Sequence, residues 1–313
     1  MKKVIGVYFI ASIIAIGRVT MAADEPKAPT AEKQKTQITE KQKTEVTTEM
    51  AAALKQFSSE VQAILTKENI HSMLDRPRLL KEAGVTYQPE LIAADDLASK
   101  LSGCNLGIYA GIKMYDAIYA AVFTKKQEVS KSLQAVDAAM QKLDLRSHAD
   151  FSGNMRKTVR RVACESENID IKEMLNQLTT DTINELPVFV SSRESSHFLA
   201  DSLCGFMIEV CYVMGYFHQT DPNDNLMKLR MQQPTFMAWM HSVNCVLDAF
   251  EKARKDLQVE CKLVKFQDVM KDIVKLAEAE HSGKITTKEG RAQLAIIRER
   301  VTKIRASVLA NAN

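Results

Sequence analysis

One carboxylate sits inside an apolar helical run. Between Leu203 and Phe217 the only charged side chain is Glu209, and the surrounding residues are apolar at every helical phase rather than on one face. Such a run predicts a central helix, 197–218, buried on all sides. A carboxylate buried there must be paired, hydrogen-bonded or protonated, because an isolated buried charge costs several kcal/mol at least. Lys113, in the similarly apolar run 103–123, is its expected partner, with Asp116 one turn further on. Tyr109, Tyr115, Tyr119, Tyr212 and Tyr216 lie on the same two runs and can donate or accept hydrogen bonds. Lys113, Glu209, Tyr109 and Tyr212 therefore form the candidate ligand-binding set, a polar pocket between two helices. The competing reading of the same residues is an ion pair that fixes helix register.

Other chemistry is poorly supported. Cys204, Cys211 and His218 recur every seven residues, which places neighbours about 10 Å apart along a helix. A shared metal ion needs ligands at about 2.0–2.3 Å, so no metal site is expected; His241 and Cys245 have suitable spacing but stand alone. No nucleophile elbow, Walker loop or GxGxxG occurs, and no catalytic residue or cofactor is assigned. Asp95 and Asp96 read as solvated charge. Arg156, Lys157, Arg160 and Arg161 read as the charged face of an amphipathic helix, and Met227–Met240 as core filling.

The N-terminus speaks to compartment. Lys2 and Lys3 precede an apolar run from Val4 to Gly17, and small residues follow at 20–23, the pattern of a cleaved signal peptide over 1–23. That leader holds three cations and no acid, so its removal takes the formal charge from +3 to 0. A neutral chain offers no basic surface for nucleic acid. Without the leader no membrane span is expected, and the location is periplasmic or secreted. Six cysteines would then meet an oxidising compartment, leaving both disulfides and free thiols open.

The elements that must position these residues are helices. Glycine (11) and proline (7) are scarce in 313 residues, and no alternating strand pattern occurs. Residues 24–48, where Glu32-Lys-Gln-Lys-Thr36 recurs at Glu40–Thr44, read as a disordered linker. Residues 49–310 read as one all-α bundle of nine or ten helices. Their predicted spans are 50–65, 89–101, 103–123, 127–143, 147–162, 169–186, 197–218, 225–257, 263–279 and 286–309. Gly103, Gly107 and Gly111 share one face of the 103–123 helix. Interior glycine costs about 0.5–1 kcal/mol against alanine, which predicts close backbone approach by a second helix.

Two segments carry a resemblance. Asn105–Tyr115 is similar to a Leu-Gly-x-Tyr-x-Ala-Asp-x-x-Tyr region, and Gly205–Tyr212 to a Gly-x-x-Ile-Glu-x-x-Tyr stretch. Both belong to an uncharacterised family of helical exported bacterial proteins, many of them assigned as lipoproteins. The chain departs from that family in having Gly111 or Ile112 where an acid is common, and no cysteine before Cys104. The resemblance implies an all-α envelope protein and brings no activity. The expected function is non-catalytic binding of an envelope protein or a small ligand. The alternatives are a redox- or metal-linked protein using its cysteines, and an enzyme with an unrecognised site.

Overall fold

Helix-forming sequence with few breakers yields an all-helical structure. The computed structural model describes residues 74–143, 171–189, 193–220, 264–282 and 287–310, with a few isolated positions besides. All lie in the unit Thr48–Asn313. Among the described residues there are seven α-helices and no strand: α1 (Arg76–Glu82), α2 (Gly103–Val122), α3 (Lys126–Lys142), α4 (Ile171–Phe189), α5 (Arg193–Thr220), α6 (Val264–His281) and α7 (Thr287–Ala310). The predicted helices 50–65, 147–162 and 225–257, the linker and the leader fall outside the described residues, isolated positions aside. So do the Arg156–Arg161 cluster, apart from the exposed Lys157, and the Met-rich segment.

Three expectations need correction. First, the central position belongs to α2. Every residue from Leu106 to Val122 is buried except Met114, whereas α5 becomes half-buried at Cys211, Tyr212 and Met214–Tyr216. By length and composition His197–Phe217 could cross a membrane, but most of it is buried in the bundle as a core helix would be. Second, residues 89–101 are not a helix but two 3₁₀ turns, Pro89–Leu91 and Leu97–Ser99, joined by an extended strap. Third, Pro187, which by its type should start or kink the segment leading into the central helix, lies instead in the last turn of α4.

The glycine face does what its spacing implies. A Cβ on Gly111 would fall 1.9 Å from the Ser202 carbonyl oxygen, and one on Gly205 only 1.8 Å from that of Ile108. On Gly107 it would meet the Asp201 Cβ at 2.6 Å. The α2 and α5 backbones therefore touch along this seam, and Ser202 Oγ donates across it to the Gly107 carbonyl at 3.2 Å. Gly103 is not part of the contact. It opens α2 at a φ of +54° and has open space around it. α3 packs on α2, α7 on α5, and α6 on α7.

α1 and α2 end alike. After α1, Gly84 N–H donates to Lys81 O and Val85 N–H to Leu80 O, with Gly84 at φ +78°. After α2, Thr124 N–H donates to Ala121 O and Lys125 N–H to Ala120 O. Both are Schellman closures. The second one holds a β-branched residue at φ +58°, a conformation that crowds Cβ against the carbonyl.

Two measurements follow from this packing. Gly111→Ala and Gly205→Ala should each destabilise by about 3 kcal/mol or more, since only backbone movement can relieve the overlap. Gly215→Ala, facing the flexible Arg298 stem at 3.3 Å, should be tolerated within about 1 kcal/mol; equal losses at all three positions in denaturant titration would refute a close seam. Thr124→Gly should stabilise by about 0.5–1 kcal/mol, the left-handed penalty relieved less the added glycine entropy.

Candidate functional site

Polar side chains from α2, α5 and α7 meet beneath the strap. Lys113 is fully buried and does not pair with Glu209. Its Nζ donates to Asp95 Oδ1 at 2.6 Å and to the Ala93 carbonyl at 2.8 Å, and lies 3.2 Å from Asp116 Oδ2. Ala93 N–H donates to that same Asp116 oxygen at 3.1 Å. Glu209, equally buried, is held by Arg305 instead. Arg305 Nε reaches Oε2 at 2.6 Å and Nη2 reaches Oε1 at 3.0 Å, a bidentate pair. Nη2 also donates to the Leu91 carbonyl at 2.8 Å, and the guanidinium lies 4.2 Å from the centre of the Tyr212 ring.

The strap explains its own failure to be helical. Its backbone groups are diverted inward, so they cannot close helical turns. Leu91 O receives Arg305, Ala93 uses both its N–H and C=O, Ala94 O receives Tyr109 Oη at 2.7 Å, and Gln88 N–H donates to Tyr119 Oη at 3.0 Å. At the other end Lys142 Nζ donates to Leu101 O and Ser99 O at 2.7 and 2.6 Å. A local pattern favouring helix loses here to buried groups that need partners.

Burial sets the electrostatics. It pushes Asp116 above the ordinary carboxylate range, against the pull of Lys113 and Arg305. It pushes Glu209 up to about 8, with the nearby Asp116 adding to the rise and Arg305 opposing it. Desolvation likewise raises the Tyr109 and Tyr115 hydroxyls, and Tyr119 to about 12. For Arg305, burial works against the charge, but Glu209 more than offsets it and the guanidinium is held ionised. Within this cluster Tyr115 Oη and Asp116 Oδ1 are buried with no hydrogen-bond partner. The Tyr115 ring stands edge-on to Phe206, with centroids 5.3 Å apart.

All four residues singled out from sequence thus belong to one cluster, although the expected Lys113–Glu209 pair is replaced by two separate ones. Asp95 and Arg305 were missed. Asp95 read as solvated charge, yet it seals Lys113 at the solvent edge with 38% of its side chain exposed. Arg305 left a trace: it sits four residues after Val301 and three before Val308, on the buried stripe of α7, where an arginine needs a partner. Among the described residues no group of His, Cys, Asp and Glu could hold a metal ion. Cys204 and Cys211 carry thiols, while Cys104 is in a disulfide whose partner lies outside the described residues. No family model, curated protein or solved structure matches the chain.

Breaking the bidentate pair should be costly. Glu209→Ala or Arg305→Ala leaves the other charge buried without its partner and should lower stability by about 3–5 kcal/mol. The double replacement Glu209→Leu with Arg305→Met should recover most of that loss in a chemical-denaturation cycle. A double variant no better than the singles would show that the pair is more than a mutual neutralisation.

Proposed function

We propose that this chain is an exported, non-catalytic protein of the bacterial cell envelope, periplasmic or secreted, that binds an envelope protein or a small ligand. In this reading residues 1–23 are removed as a signal peptide and 24–48 tether one bundle of nine or ten helices. No nucleic acid is a partner. The observation that carries the export reading is the Cys104 disulfide, since such bonds persist in oxidising compartments and are rare in reducing ones. The leader's basic–apolar–small pattern and the two resembling motifs support the same location.

A small ligand would be read by Lys113, Glu209, Tyr109 and Tyr212. It would not enter along the α2–α5 seam, where the backbones touch; the way in is beneath the strap, held by Asp95 and a few backbone groups. A register-fixing role for the same charges is the reading the bidentate Arg305–Glu209 geometry favours when no ligand is present.

A thiol titration of unfolded, unreduced protein tests the premise. Of six cysteines, Cys104 and its partner are bonded and Cys204 and Cys211 are not, so two or four thiols should titrate. Six would remove the support for export. Elemental analysis of the same sample tests the metal-linked alternative. Native mass spectrometry of protein purified from its own cells should show a bound small molecule or protein that is lost in Glu209→Gln; identical spectra for both would exclude these residues as the ligand contacts.

A further inference from the structure

The cluster beneath the strap carries an uneven set of charges. Lys113 and Arg305 supply two cations, and Asp95, Asp116 and Glu209 supply three carboxylates, all joined through the contacts described above. Asp116, Glu209 and Lys113 are at most 1% exposed. Asp95 reaches solvent with 38% of its side chain exposed, so the sealed charges are Lys113, Asp116 and Glu209 with Arg305 beside them. There a carboxylate oxygen without a donor is strongly disfavoured, and the group takes up a proton instead.

The hydrogen bonds locate it. Both Glu209 oxygens accept from Arg305, so both are occupied as a carboxylate's should be. On Asp116 only Oδ2 is engaged, by Ala93 N–H and Lys113, while Oδ1 is buried with no donor. An unpartnered neutral hydroxyl costs less in such a place than an unpartnered charged oxygen. We propose that the interior is a proton-binding site, with one proton held on Asp116 Oδ1 at neutral pH.

Around the two carboxyls stand Lys113 and Tyr115 on α2, Arg305 on α7 with Tyr212 of α5 against it, and Asp95 on the strap, while Arg76 of α1 acts on Tyr115. Apart from each other, the charges acting most strongly on the two carboxyls are Lys113 and Arg305. Burial raises both carboxyls, and because they interact closely the proton's release belongs to the pair, with Glu209 pushed up to about 8. The sign follows. A folded value above the unfolded one, 3.8 for an aspartate, means the stabilisation is complete below the unfolded value and is lost as pH rises through the raised folded value. Ionised Asp116 would hold Ala93 N–H and Lys113 more tightly, since both contacts favour the charged form.

Infrared spectroscopy reads the proton directly, through the C=O stretch of a protonated carboxyl group. The intact protein should show this band at about pH 6 and lose it as the pH rises. Labelling with carbon-13 aspartate should shift it, and Asp116→Asn should abolish it. Absence of the band at about pH 6, its persistence in Asp116→Asn, or its failure to shift on aspartate labelling would overturn the assignment. Should Asp116→Asn fail to fold, the aspartate-labelled wild-type spectrum decides alone.

Discussion

Charges buried at the centre of this bundle must be given partners, and that need shapes the structure around them. Lys113 and Asp116 project from a helix that has no solvent face, and Glu209 from the helix packed against it. Water is not there to solvate them. Their partners come from far along the chain: the strap twenty residues before, and Arg305 near its end. A single bidentate contact therefore ties α7 to α5, and through the Leu91 carbonyl to the strap as well.

Two different forces hold the centre together, and they have different tolerances. The α2–α5 seam is a steric device, in which glycines let two backbones touch and exclude anything between them. The strap is an electrostatic device, in which backbone carbonyls and one half-exposed carboxylate balance buried cations. Close packing resists deformation and admits one register only. Hydrogen bonds to charges respond to pH and to competitors, so the strap is the side of the core from which change can come.

The interior is also richly aromatic near these charges. Tyr109 and Tyr119 spend their hydroxyls on the strap's backbone, Tyr212 lies under the Arg305 guanidinium, and Tyr87 stacks on Tyr119 at 5.2 Å. Each supplies apolar area together with one directional polar atom, which suits a wall that must pack against leucines and still satisfy a loop. The arrangement makes the strap part of the core rather than a surface connection.

Much of the helical layout was legible in the chain, because helical periodicity is local. The spans of α2, α3, α6 and α7 follow from apolar spacing, and the glycine repeat at 107 and 111 announced a close neighbour before the neighbour was known. The presence of a buried carboxylate at Glu209 was equally plain from its fifteen-residue apolar setting. Its partner was not. Pairing across ninety-six residues depends on which faces meet, and α7 carries several other cations whose positions differ from Arg305 only in where they point. Nor did residues 89–101 reveal themselves: their sequence favours helix, and only the buried groups of α2 and α7 decide otherwise, by claiming the carbonyls and amide that a helix would have used. What a segment does on its own is written in its sequence; which charge meets which, and which backbone is diverted to serve them, exists only once the helices are packed.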